Sequence, residues 1–164
     1  MAQEFSASGF AYKIRTQFSF MADDPTLSCI LNGIAGMNIS ITGYLQTKGL
    51  RADGCGRPET NLVRLVVGSP DGETEYDLAG VEDVLDELHV KFQEKPVIQV
   101  LLIAPGIPGI INGIYRALWC KDIVYASYIG EETRLFFDVA DVCRALMILA
   151  EVPINQCPLK CHIC

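Results

Sequence analysis

The chain has 164 residues, half of them hydrophobic and one fifth charged, with a formal net charge of −7. That size fits one packed domain or two small subdomains sharing a sheet. The acidic balance and the lack of a dense basic segment exclude a nucleic-acid or anionic-membrane surface, and the apolar excess implies buried surface beyond one monomer's core.

Residues 1–11 read as a flexible lead-in without the basic start and apolar core of a signal peptide, so a cytoplasmic protein is expected. Lys13 to Phe20 alternates, with Ile14, Thr16, Phe18 and Phe20 on one face and Lys13, Arg15, Gln17 and Ser19 on the other. The alternation predicts a strand with one buried and one wetter face. Asp23-Asp24-Pro25 then opens a helix, since either carboxylate can cap it and both suit the positive end of its dipole. Leu27, Ile30, Leu31 and Ile34 form its apolar stripe. Gly36 is expected to stop the helix in left-handed geometry, and Asn38 to start the next strand.

Residues 47–61 form a polar loop with three glycines, a candidate lid or recognition segment. Leu62 to Val67 reads as a strand, followed by a Ser69–Gly72 turn and a helix with Val81, Val84, Leu85 and Leu88 on one face. His89 to Glu94 is expected to be a short final strand that Pro96 ends. From Pro96 to Tyr115 there is no charge, a length that invites comparison with a membrane span. The two halves differ in habit, however: Val97 to Ile103 suits a buried strand, whereas Ile107, Ile110, Ile111, Ile114 and Leu118 follow helical spacing. Strand, turn and buried helix are therefore predicted. A last helix presents Val142, Ala145, Leu146 and Leu149.

The chain repeats itself. Pro25 matches Pro105, Leu31–Ile34 matches Ile111–Ile114, Val63–Val67 answers Thr133–Phe137, and Asp77–Leu85 answers Asp138–Leu146. The first copy runs strand-helix-strand-strand-helix-strand, the split ferredoxin-like order with helices on one face of an antiparallel sheet. An α+β fold of two such βαββαβ units follows, spanning 12–95 and 96–152, with a cysteine-rich tail at 153–164. The second unit lacks an evident last strand, because Pro153, Pro158 and clustered cysteines occupy that place.

The acidic pair before Pro25, the apolar helix and the Gly36-Met37-Asn38-Ile39 step resemble an ACT domain over about residues 12–151. The second half keeps Pro105 and Gly109 but has Cys120-Lys121-Asp122-Ile123 at the corresponding step, and Thr26 and Leu27 stand where the family often has glycine. The resemblance implies a non-enzymatic sensor that binds an amino acid or related metabolite where two domains meet. Such a protein would act as a homo-oligomer on its own assembly or on a separate enzyme or regulator chain. The implied ligand contacts are Asp23, Asp24, Pro25, Thr26, Leu27, Met37, Asn38 and Ile39, with Pro105, Gly106, Gly109 and Asp122 in the second copy. A helix start suits a ligand carboxylate, an aspartate its ammonium, and Asn38 supplies amide donors and acceptors. The same residues also have plain roles, because Asp-Pro caps helices and Gly-Met-Asn ends them.

No catalytic constellation or cofactor motif emerges. His89 and His162 pair with no nucleophile, and Asp53-Gly54-Cys55-Gly56 lacks the lysine and hydroxyl of a phosphate loop. Seven cysteines without a secretory signal are expected to be reduced thiols, with Cys29, Cys120 and Cys143 packed as small apolar residues and Cys55 exposed. The alternative to a ligand sensor is a metal- or redox-responsive interaction protein. Cys157, Cys161, His162 and Cys164 would then supply a soft tetrahedral zinc site, although the spacing is not a common finger pattern.

Overall fold

The computed structural model describes residues 11–49, 60–101, 108–151 and 154–159. The elements follow in the order β1 (Ala11–Asp23), α1 (Asp24–Gly36), β2 (Ile41–Lys48), β3 (Thr60–Val67), α2 (Glu75–Glu87), β4 (Phe92–Leu101), α3 (Ile110–Leu118), β5 (Val124–Ile129), β6 (Leu135–Val139) and α4 (Val142–Leu149), with a 3-10 turn at Glu131–Thr133. They divide into two compact units. One holds Arg15–Pro96 and Tyr128–Glu132; the other takes the described residues of Met1–Ile14, Val97–Ser127 and Thr133–Cys164.

The first unit orders its strands β2-β3-β1-β4, the ferredoxin-like arrangement expected. Its β1 and β3 run antiparallel with Phe18 opposite Leu65 and Ala22 opposite Asn61, and β3 pairs with β2 through Tyr44 opposite Leu65. The second unit has the equivalent order β1-β4-β6-β5, with Ile98 opposite Phe137. The described tail residues 154–159 form no strand in the place of its fourth. Ala11–Ile14, the start of β1, belong to this unit and occupy that place. The expected break at Pro96 is likewise absent: β4 runs through it as one strand of 10 residues, because proline's fixed φ tolerates extended chain and only its donor is lost.

Each unit has its own core. Leu27, Ile30 and Ile34 of α1 and Val81, Val84 and Leu85 of α2 pack on Phe18, Phe20, Val63 and Leu65. Ile110, Ile114 and Leu118 of α3 and Val142, Ala145 and Leu149 of α4 pack on Ile98, Val100, Leu135 and Phe137. Among the described positions of the expected α3 stripe Ile111 departs, being exposed, and Ile107 lies outside the described residues. No described helix is long and apolar enough to cross a membrane.

The helix ends differ from expectation in one detail. At the close of α1 the left-handed residue is Asn38 (φ 58°), not Gly36, which remains helical. The Ile39 amide donates to Ile34 O (3.3 Å) and the Asn38 amide to Ala35 O (2.9 Å), a paired closure of the last turn. Strand β2 begins two residues after Ile39 rather than at Asn38. Helix α2 closes the same way, with His89 left-handed (φ 54°), Val90 donating to Leu85 O (2.9 Å) and His89 to Asp86 O (3.0 Å). The side chains of asparagine and histidine tolerate this region better than most, so both helix ends are set by local sequence.

Strand β1 corrects the wet-face expectation. Arg15 is 1 % exposed and Gln17 fully buried, whereas Ile14 is half exposed. Arg15 ion-pairs with Glu73 through Nε and Oε2, and its Nη2 donates to Val67 O (2.8 Å) and Ser69 O (3.1 Å). The other Glu73 oxygen accepts from the Thr16 amide (2.9 Å). A buried guanidinium is tolerable only with such a full set of acceptors. The Ser69–Gly72 turn, closed by reciprocal backbone bonds, is held against the strand as a result. Gln17 is satisfied by the Ser19 hydroxyl and by Tyr128, whose hydroxyl donates to it at 2.7 Å.

Candidate ligand site

The start of α1 is the polar focus of the first unit. Asp23 is the N-cap: its Oδ1 accepts from the Thr26 amide at 2.8 Å, and Pro25 fills the first turn where its missing donor costs nothing. Hydrogen bonds from Thr26, the hydroxyl first and the amide second, hold the Asp23 carboxyl below its ordinary value. It is therefore an anion on the surface at neutral pH.

Asp24 is engaged differently. Its Oδ2 accepts from Lys48 Nζ at 2.7 Å, and its Oδ1 from Asn61 Nδ2 at 2.8 Å. Asn61 is fully buried and donates also to Ala22 O (3.1 Å), while its own Oδ1 accepts from Gln46 Nε2 (2.9 Å). Gln46 Oε1 in turn accepts from the Tyr44 hydroxyl (2.9 Å). This chain of polar groups ties the start of α1 to the last turns of β2 and the first residues of β3. Lys48 and Thr60 lie inside the segment 47–61 expected as a polar loop, whose ends are thus strand, and its residues 50–59 lie outside the described residues.

The expected ligand residues fall into two groups. Asp23, Asp24, Pro25, Thr26 and Leu27 begin α1, with Leu27 turned into the core. Met37, Asn38 and Ile39 follow its other end, after 13 residues, a separation of about 20 Å at helical rise. One unit therefore does not bring the two groups together. The second group is also braced from within: Tyr76 donates to Met37 O at 3.0 Å, Ile39 is buried, and a Cβ on Gly80 would come within 2.4 Å of Ile39 Cδ1. Asn38 alone of the three stands exposed.

The second unit is equipped otherwise. Gly109 caps α3 in left-handed geometry (φ 88°) with no side-chain bond to the helix. Asp122 accepts from the Ile123 amide (2.7 Å) and the Asp141 amide (3.3 Å), which makes it a turn residue. Pro105 and Gly106 lie outside the described residues.

The tail corrects the cysteine reading. Cys157 is disulfide-bonded to Cys120, with 5.9 Å between Cα atoms, so two of the seven thiols expected to be reduced are oxidised. The sulfur of Cys157 is thereby taken from the expected zinc set, whose other members, Cys161, His162 and Cys164, lie outside the described residues. Among the described residues no group of three metal-ligating side chains converges. The bond forms because the tail returns along α3: Cys157 N donates to Arg116 O (2.7 Å), Arg116 Nε to Cys157 O (2.7 Å) and Lys121 Nζ to Asn155 O (2.7 Å). Cys29 and Cys143 are exposed rather than packed, and Cys55 lies outside the described residues.

No known family profile matches the sequence, and no curated protein does. Solved structures share its fold. Protein BT0572 from Bacteroides thetaiotaomicron aligns over 84 % of this chain and 88 % of its own, at 13 % identity and a TM-score of 0.61. The ligand-free regulatory subunit of aspartate kinase from Thermus thermophilus aligns over 80 % and 87 %, at 13 % identity and 0.53. Aspartate kinase from Synechocystis aligns over 92 % of this chain but 28 % of its own, at 15 % identity and 0.55. At such identities the likeness is one of fold, and the fold is the paired ACT-like architecture that the sequence resembles.

Proposed function

We propose that this protein is a regulatory module without catalysis of its own, which takes up an amino acid or similar metabolite and passes the binding on to its assembly or to a separate enzyme. The observation that carries this reading is the polar start of α1 on a fold shared with a regulatory subunit of aspartate kinase. Pro25 has no amide hydrogen and the Thr26 amide is bound to Asp23, so little of this helix start is left for a ligand carboxylate. The Asp23 anion suits an ammonium instead. The carboxylate end must then be met elsewhere, and the exposed Asn38 amide is the fitting donor. Because α1 holds Asn38 away from Asp23, the two act on one ligand only when a second copy contributes one of them. A two-fold axis that sets two α1 helices antiparallel achieves this.

Thermal-shift titration with the common amino acids tests the reading. Occupancy at 100 times the dissociation constant adds about 2.7 kcal/mol, and Asp23→Asn is expected to abolish the shift. A melting temperature unmoved by every amino acid tried removes the proposal's support.

A second reading rests on the Cys120–Cys157 bond. A disulfide fits poorly with the reducing cytoplasm that the regulator reading assumes, and fits a redox-responsive protein whose tail is released on reduction. Thiol counting under non-reducing conditions, with zinc analysis of the same sample, separates the two. Five free thiols without zinc favour the redox reading, seven with stoichiometric zinc favour a metal-bound tail, and seven without zinc remove both.

A further inference from the structure

The two sulfurs of the Cys120–Cys157 bond stand in unlike surroundings. Cys120 follows α3 and is exposed, as is Trp119 beside it. Cys157 is buried, and its Sγ accepts from the Cys120 amide at 3.2 Å. Positive charge is drawn to the same segment, because Arg116 Nε donates to Cys157 O and Lys121 Nζ to Asn155 O. An amide donor and nearby cations stabilise negative charge on a departing sulfur. Cys157 is therefore the better leaving group, and Cys120 is the sulfur open to attack. Four residues beyond Cys157 the sequence reads Cys161-His162-Ile163-Cys164. Two cysteines separated by two residues have the spacing of dithiols that act in thiol–disulfide exchange. Four residues of chain span at most about 14 Å, and Cys157 and Cys120 are 5.9 Å apart between Cα atoms. Chain length alone thus keeps Cys161 in the neighbourhood of the exposed sulfur.

We propose that Cys161 and Cys164 form a dithiol that exchanges with the Cys120–Cys157 bond, so that a single disulfide moves within the chain and frees the tail from α3. The Cys161 thiolate attacks Cys120 Sγ. A Cys120–Cys161 bond forms, the Cys120–Cys157 bond breaks, and the electron pair leaves on Cys157 Sγ, which takes a proton from water. The Cys164 thiolate then attacks Cys161 Sγ, closes Cys161–Cys164 and expels Cys120 as a thiolate that is protonated in turn. The two protons gained equal those given up by Cys161 and Cys164. Two electrons pass from the tail dithiol to the Cys120–Cys157 pair, so no outside oxidant or reductant is consumed. Attack within one chain is favoured because a short tether gives an effective concentration on the order of 1 mM. Once the bond has moved, hydrogen bonds from Arg116 and Lys121 and the packing of Ile154 are what still hold the tail. This inference rests on the redox reading of the tail and adds to it the groups that open the bond.

Disulfide mapping of the full chain is the test. Protein purified without reductant is brought from acid to neutral pH, quenched in acid at intervals, alkylated on its thiols and digested with trypsin. Cleavage after Arg116, Lys121, Arg144 and Lys160 puts Cys120, Cys157 and the Cys161–Cys164 pair in three different peptides. Both disulfide isomers are expected, and the rate at which they interconvert should not change on dilution, as befits exchange within one chain. Cys164→Ser removes the second step, and Cys161 is then expected joined to the peptide of Cys120. Cys29→Ser, at an exposed thiol outside the exchange, should leave the isomer ratio unchanged. Cys120–Cys157 alone, with Cys161 and Cys164 both alkylated at every interval, overturns the proposal and leaves the redox reading standing. Seven alkylated thiols before any incubation remove that reading and the proposal with it. A rate that falls on dilution, or Cys161 joined to Cys157 in the Cys164→Ser protein, also overturns the proposal.

Discussion

Helices α1 and α3 hold equivalent places in two copies of one unit, yet they are secured by unlike means. The start of α1 is fixed by an aspartate cap and an Asp24–Lys48 bridge, whereas α3 starts on a bare glycine and is held along its length by the returning tail and a disulfide. Their buried apolar stripes coincide where Ile30 matches Ile110 and Ile34 matches Ile114. What diverged most is how each helix is started and held. A repeat can thus keep its core while one copy retains a polar helix start and the other acquires apolar outer faces.

Three perturbations sharpen this contrast, and each can be assigned to a unit because Trp119, the single tryptophan, reports on the second. The largest effect is expected from Glu73→Ala in the first unit. It strands a buried guanidinium, and the cost falls near the lower end of about 3–5 kcal/mol because the carbonyls of Val67 and Ser69 still accept from Arg15. Urea denaturation followed by circular dichroism measures it. A loss below 1 kcal/mol would mean that the turn relaxes and lets water reach Arg15.

Cys120→Ser, or a reductant on the wild type, comes next. A bridge closing 37 residues is worth about 2–4 kcal/mol, and the loss should move the Trp119 fluorescence transition first. If circular dichroism and fluorescence shift together, the units unfold as one and the contrast between them is static only. The smallest effect is expected from Asp23→Ala, which removes only an exposed helix cap. Its pH dependence has a fixed sign. The folded carboxyl lies below its unfolded value, so the contribution is present at neutral pH and fades as pH falls through the acidic range, where it protonates. The wild type and Asp23→Ala should therefore converge in stability in acid, and a constant gap down to the most acidic point would assign the effect to something other than the cap.

The apolar stripes of the four helices were legible because burial on a sheet imposes a helical period that composition cannot hide. The cap at Asp23 was legible for a similar reason, since its partner lies three residues away. Arg15 was not: its alternation with Ile14 and Thr16 reads as a wet face, and the acceptor that permits burial stands 58 residues later. The Cys120–Cys157 bond was hidden likewise, because the path that brings the tail back to α3 is set by Arg116 and Lys121 bonding to backbone carbonyls, which leaves no mark in cysteine spacing. As for the ligand residues, sequence grouped Asp23 with Asn38 by family likeness, while the length of α1 sets them at opposite ends of one helix.

Strand β1 gives its first four described residues to one unit and the rest to the other. On the ribosome this inverts the usual order of assembly. At about 5–20 residues per second, Ala11–Ile14 emerge on the order of 10 s before the α4 segment they must join. The early half of the chain can mature while its leading strand is still unmatched at one end, and the later half closes only by reaching back to it. Clipping the leader ahead of Arg15 would thus injure the part of the protein made last.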